Sequence, residues 1–383
     1  MGVLDGIRVV DLSEVYQGPV AAQSLGDFGA EVIKVERAGT GEVLRSSDPA
    51  ATAKGWMSSH YAAANRNKRS ITLDLKSEKD IAFLKELIRD ADVLIHNYRP
   101  GVAERLGLGY EAMSLENPRL IYACGTGFGE TGPLASMGGQ DLIIQSLSGM
   151  AYESAPEGAE PHFVNPPAVD YASGMLLVQG ILLAILDRQK TGLGQKVNIC
   201  LLDTAIAIQS LEATTQSMYG STTHWFDLAP NFVFKTRDGW VTVLGFFRDN
   251  PLALLCAAME IPDASRQPHL RTPADQLAHR DEIKQLLAEH FEQLDTVEVL
   301  DRLAAQDLLC APVQSLAEAL RHPQVRENGM LWPVSIENQP EARIIGNPLK
   351  LSRTPAQVRR PPPLLDQHRE EILEGRWSPL IAS

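Results

Sequence analysis

The chain has 383 residues, 44% of them hydrophobic and 22% charged, and a formal net charge of −13. That length suits two domains better than one, and the composition is that of a globular protein with enough apolar surface for a core. The acidic balance argues against nucleic acid, whose binding rests on phosphate neutralisation, although a local basic cluster still allows a phosphorylated small molecule. The first residues lack the basic and apolar regions of a secretory signal. No uninterrupted apolar run reaches the ~18 residues of a membrane span, because Gln179 and Gly180 break the segment 175–186. Cys124, Cys200, Cys256 and Cys310 lie far apart in apolar surroundings and read as buried reduced thiols. The expectation is a cytoplasmic enzyme with no nucleic-acid or membrane partner.

In chain order, residues 7–36 read as a βαβ unit. It comprises a β-branched strand at 7–12, a helix at 19–28 with Pro19 at its first position, and a second strand at 31–36. Such a unit predicts a parallel sheet with a binding crevice at the strands' C-terminal ends. Segments 70–75, 91–96 and 120–124 read as further strands, with a helix at 79–90, and a glycine-rich loop follows at 125–132. A helix at 140–148 leads to a proline-rich excursion at 153–167. A long apolar helix beginning near Asp170 follows, then a glycine-bracketed turn and a strand at 196–201. One further helix is expected at 203–218, then a linker at 222–230 and a hairpin at 231–244 turning at Asp238 and Gly239. Helices at 251–259, 280–293 and 296–306 complete a smaller α/β domain at 225–325. The large nucleotide-binding-like domain is 1–224, and the segment 326–383 is expected to return to it.

Three features carry candidate chemistry. Asp170 stands directly before an apolar helical run, where the residues alone read it as an N-cap. The same position also suits a nucleophile, since a helix N-terminus would keep a carboxylate ionised. The cluster N-R-N-K-R at 65–69, with Lys76, Arg99 and Arg105, concentrates positive charge beside predicted strands; it reads either as a solvated face or as a phosphate site. The third feature, G-F-G-E-T-G at 127–132, matches a dinucleotide fingerprint. It lies outside the first βα turn and runs at once into Pro133, so a nicotinamide site is set aside. The nine histidines show no metal-ligand spacing, and no G-x-S-x-G elbow is present.

The ordered segments G-I-R-V-V-D-L-S, G-A-E-V-I-K-V-E-R, N-R-N-K-R-S-I-T-L-D-L-K, N-Y-R-P-G-V-A-E-R-L-G-L-G-Y, G-F-G-E-T-G-P, Q-D-L-I-I-Q-S-L-S-G, D-Y-A-S-G-M and H-P-Q-V-R-E-N-G-M span most of the chain. Together they resemble type III CoA-transferases, the CaiB/BaiF family of formyl-CoA, carnitine and bile-acid CoA-transferases. The resemblance implies an interlocked homodimer and places the family's catalytic aspartate on Asp170. It implies transfer of CoA from an acyl-CoA to a carboxylic acid through mixed-anhydride and aspartyl-CoA thioester intermediates, with CoA as part of the substrate and no tightly bound cofactor or metal. By position, its CoA contacts fall on Arg37, Leu73, Lys76, Asn97, Tyr98, Arg99 and Arg105. Tyr16, Gln17, Gln140 and Tyr171 fall near the acyl group.

Departures from the family pattern narrow the reading. Tyr16 and Gln17 replace the Gln-Ala of the formyl-CoA branch, and 244–250 carries Phe246 and Phe247 in place of that branch's glycine run, which disfavours oxalate as acceptor. A 2-methylacyl-CoA racemase of the same fold is the main alternative. Its histidine falls on Gln140 and its glutamate on Arg248, and glutamine exchanges no proton near neutral pH. A non-catalytic CoA-binding protein is the other alternative.

Overall fold

The computed structural model describes residues 2–155, 158–245, 248–339 and 341–377. Its centre is a six-stranded parallel sheet: β1 (Arg8–Asp11), β2 (Glu31–Arg37), β3 (Lys68–Leu73), β4 (Val93–His96), β5 (Ile121–Thr126) and β6 (Lys196–Cys200). The spatial order is β3-β2-β1-β4-β5-β6, so strand addition reverses direction between β1 and β4. Successive strand residues face opposite sides. Val10, Ile33 and Leu94 enter one buried cluster with Leu84 and Leu87, while Val9, Val32 and Val93 enter another with Leu177 and Ile181. A sheet covered on both faces needs such uninterrupted apolar strands.

The helix Gln17–Asp27 begins two residues before the expected start, leaving Pro19 at its third position, where the first turn still needs no N–H. The long helix Ala168–Thr191 packs on it and stops at Gly192, whose φ of 76° is left-handed, as the glycine-bracketed turn predicted. This helix is long and apolar enough, by length and composition, to cross a membrane, which corrects the expectation that no such segment exists. Gln179 and Gly180 carry no charge and fit within a helix, so they do not divide the run. Its inner face, with Leu177, Ile181 and Ile185, is buried in the sheet's core, and Leu176, Leu182, Leu183 and Leu186 are exposed.

The chain divides into two compact units, Met1–Ile208 with Asn328–Ser383, and Gln209–Glu327; the sequence reading placed these boundaries at 224/225 and 325/326. The helix expected at 203–218 is two helices, Leu201–Ile208 and Ser210–Tyr219, broken at Gln209.

The cluster at 65–69 is not a solvated face, and its cations are already paired within the protein. Arg66 grips Asp27 with two hydrogen bonds of 2.8 and 2.6 Å and donates to the Ile345 carbonyl. Lys68 donates to Asp11, to the Pro19 carbonyl and to Asn65, and Arg69 joins Glu31 and Glu371. All three are buried. A cation that deep is tolerated only when paired, and here each pair ties the strand to a distant segment.

The second unit is built on an antiparallel sheet of β7 (Phe232–Lys235), β8 (Trp240–Leu244) and β9 (Leu309–Pro312), with the expected turn at Asp238 and Gly239. The strand β9 is short and lacks alternation, so its sequence gave no signal. Helices Pro251–Ala258, Arg280–Glu292 and Thr296–Ala305 bury Leu255, Ile283, Leu287 and Val299 against the sheet, and Phe234 stacks on Phe291 at 4.0 Å. Phe246 and Phe247 lie outside the described residues.

Candidate active site

The loops after β1, β4 and β5 surround a cavity of about 520 Å³ at the point where strand order reverses. The loops after β1 and β4 are fixed from below or beside. Lys34 donates to the Ser13 carbonyl at 2.9 Å. Asn97 accepts the Glu14 N–H at 3.0 Å and donates to the Glu14 carbonyl at 2.8 Å, clasping the β1 loop to the β4 loop. Beneath them His96 Nδ1 accepts from the Tyr98 N–H, and its Nε2 meets the Tyr122 hydroxyl, which donates to the Leu108 carbonyl. Burial pushes His96 down to about 4, so it stays neutral and structural.

Asp170 is the third residue of the helix Ala168–Thr191, and Pro167 occupies the N-cap position with no side-chain cap. The N-cap reading of Asp170 is therefore corrected. Asp141 caps this helix instead, accepting the N–H groups of Val169 and Asp170 at 2.9 and 3.0 Å. The helix's positive end is taken up by Asp141, so it does not hold Asp170 ionised as expected. Burial first, and then the Asp141 charge, push Asp170 up to about 7. The half-buried Asp170 lines the cavity, and among the described residues no cation pairs with it. A carboxylate that is part ionised at neutral pH and unusually basic for its type can act as a nucleophile or base.

A model of CoA-transferase family III matches residues 4–369. The chain belongs to CoA-transferase family III. It is an enzyme that transfers CoA between an acyl-CoA and a carboxylate. It is 31% identical over 377 residues to succinyl-CoA:glutarate CoA-transferase of Homo sapiens, covering 97% of this chain and 85% of that one. Succinyl-CoA:mesaconate CoA-transferase of Haloarcula hispanica is 33% identical over 388 residues, covering 98% and 96%. Among solved structures, a CaiB/BaiF family protein from Brucella suis matches with a TM-score of 0.89 and 28% identity, covering 97% and 99% of the two chains.

The site residues expected of this CoA-transferase fall into groups. Tyr16, Gln17, Asn97, Tyr98, Arg99, Gln140 and Asp170 all line the cavity. Tyr171 does not; it stacks on Tyr16 with ring centroids 6.5 Å apart and lines a second cavity of about 240 Å³ beside Arg66 and Asp27, which Tyr16 also borders. Arg37, Leu73 and Lys76 lie at or just past the ends of β2 and β3. Arg37 is exposed and 3.6 Å from Glu14. The Leu73 side chain is in the core, which leaves only its backbone to a ligand. Lys76 is exposed, and so is Arg105, at the end of the short helix Val102–Arg105. From β3 to β5 the strand ends form one row, about 19 Å long at ~4.8 Å per strand. Segment 127–132 starts no helix, consistent with setting aside a dinucleotide there. Arg248 donates to the Asp307 carbonyl and pairs with its carboxylate.

Sequence reasoning missed Asp141, whose partners are 28 and 29 residues away, and Gly138, against which the Arg99 guanidinium lies. Locally Asp141 reads only as an acidic first-turn residue of the helix Asp141–Leu147.

Proposed function

We propose that Asp170 is the covalent nucleophile of a ping-pong CoA transfer. Its ionised carboxylate adds to the thioester carbonyl of the donor acyl-CoA, and CoA leaves as the thiolate, giving a mixed anhydride. The retained thiolate attacks the aspartyl carbonyl, releasing the donor acid as its carboxylate and leaving an aspartyl-CoA thioester. An acceptor carboxylate attacks that thioester, and the displaced thiolate then takes the acyl group from the new anhydride and restores Asp170. The carrying observation is a carboxylate with no cation partner among the described residues, raised to about 7 by burial, on the wall of a cavity at the sheet's switch point. Burial also serves the chemistry, since an anhydride open to water would hydrolyse.

The row of strand ends suits a long ligand such as CoA, with Arg37, the Leu73 backbone, Lys76 and Arg105 toward its phosphates and adenine and Asn97, Tyr98 and Arg99 nearer the thiol. The relatives named for succinyl-CoA, glutarate and mesaconate favour a dicarboxylic acyl donor and acceptor. A homodimer, interlocked as in the resemblance, would cover the exposed leucines of the Asp170 helix and leave no membrane to invoke. The racemase alternative finds little support, because Gln140 cannot carry the α-proton and Arg248 is held to Asp307.

The test is acyl-CoA with hydroxylamine, which should leave a hydroxamate on Asp170. Asp170→Ala should transfer no CoA while still binding it; full transfer by that variant would overturn the mechanism. A screen of free dicarboxylic and monocarboxylic acids against succinyl-CoA and acetyl-CoA would identify the pair.

A further inference from the structure

Gln17 is the first residue of the helix Gln17–Asp27, is only 3% exposed, and lines the cavity with Asp170. Its side-chain Nε2 is buried and finds no hydrogen-bond partner among the described residues. Buried amides are paired almost without exception, so an orphan donor on the wall of a cavity asks for an acceptor that arrives with the ligand.

The surroundings hold that donor in place from several sides. The side chain lies on Gly125, at the end of β5, where a Cβ would sit 2.3 Å from Gln17 Oε1. Its backbone carbonyl touches Gly174, one turn along the helix from Asp170, and a Cβ there would come within 2.7 Å of it. The two carbonyls flanking the segment are gripped by buried ammonium groups, Ser13 by Lys34 and Pro19 by Lys68. Two residues earlier Val15 holds φ at 68°, a conformation β-branched residues rarely adopt, so the loop keeps a strained path to deliver Gln17 where it is. Preorganised donors in a dry cavity are the arrangement that stabilises charge as it develops on a reacting carbonyl.

We propose that the Gln17 carboxamide donates a hydrogen bond to the oxygen of the acyl carbonyl that Asp170 attacks, and so helps to hold the oxyanion of each addition step. The ligand class is a thioester or anhydride carbonyl. The proposal rests on the Asp170 mechanism above. It assigns the buried amide a role in the transition state, where an acceptor more strongly charged than a ground-state carbonyl faces it.

Gln17→Leu removes the donor and keeps most of the volume. Its kcat should fall about 100-fold, the usual effect of deleting one such donor, with KM for acyl-CoA changed less than threefold. A purely structural Gln17 would instead lower thermal stability, whereas loss of an unpaired buried amide should leave the melting temperature equal or higher. A second measurement uses a thioether analogue in which CH2 replaces the thioester carbonyl. Wild type and Gln17→Leu should bind this unreactive analogue alike, because the donor acts on the oxyanion of the addition step and not on the ground state. A kcat within threefold of wild type, or weaker binding of the thioether by Gln17→Leu, overturns the proposal. If Asp170→Ala keeps full transfer, the underlying mechanism fails instead, so the two failures are distinguishable.

Discussion

Asp141 and Asp170 divide one helix end between them: the Asp141 carboxylate accepts the backbone N–H of Asp170 at 3.0 Å, while the Asp170 side chain faces the cavity. A helix start ordinarily favours a nearby negative charge. Here Asp141 occupies that place, and its charge adds to burial in raising Asp170 to about 7. Rates of CoA transfer should therefore fall as pH drops through about 7, because the attacking form is the carboxylate.

Asp141→Asn should move that acid limb to lower pH, by roughly one unit at most, since burial is the larger cause and remains. Asparagine keeps an acceptor for the helix N–H groups. The Gln145 amide donates both to the other Asp141 oxygen and to the Val164 carbonyl; it would lose the first acceptor and keep the second, so about 1 kcal/mol of stability should go with the charge. The measurement is kcat/KM against pH for both proteins; an unshifted limb would separate Asp141 from the titration.

The same shift has a stability consequence of definite sign. A carboxyl near 3.8 when unfolded and about 7 when folded binds its proton more tightly in the folded state. Stability is therefore lost as pH rises from about 4 to 7, and the loss is complete above that. Its upper size is roughly 4 kcal/mol, from 1.36 kcal/mol per pH unit. Asp170→Asn should melt several degrees higher than wild type at pH 8 and alike at pH 4. Equal melting at both values would show that the folded protein does not carry the penalty.

The fold was largely legible because its signals are local. The β-branched runs that became β1 and β2, the glycine after the Asp170 helix and the Asp238–Gly239 turn each act within a few residues. What the pattern hid was pairing at a distance. In N-R-N-K-R nothing marks Asp27, Asp11, Glu31 or Glu371 as partners, and a buried cation spells the same as an exposed one. The family motifs direct attention to Asp170, but nothing in them marks its environment, because Asp141 reaches it from another helix. Likewise the strand β9 depends on β8 for its definition and carries no period of its own.

The buried pair of Lys68 and Asp11 should be costly to break. Burial opposes the ionised form of Asp11, yet Lys34 and Lys68 outweigh it and hold the carboxyl at about 2. Lys68→Met would leave Asp11 with Lys34 at 3.7 Å and free the Pro19 carbonyl beside Gln17. The expected loss is about 3–5 kcal/mol, read from the denaturant midpoint. A smaller loss would mean that Lys34 moves in to replace it.

Arg66 and Arg99 should behave in opposite ways, although both belong to the basic residues that suggest a phosphate ligand. Arg66 is buried in a two-bond grip on Asp27 and lies 4.9 Å over the Trp332 ring, so its cation is already neutralised. Lysine cannot reproduce that fork, and Arg66→Lys should cost about 1–3 kcal/mol with KM for acyl-CoA unchanged. Arg99 is exposed on the cavity rim, and no carboxylate pairs with it among the described residues. Arg99→Ala should leave the melting temperature alone and raise KM about tenfold, with the difference shrinking at high salt as the lost charge contact is screened. Thermal melts and KM at two ionic strengths on both variants settle the assignment. A raised KM in Arg66→Lys with unaltered stability would return the cluster at 65–69 to the ligand.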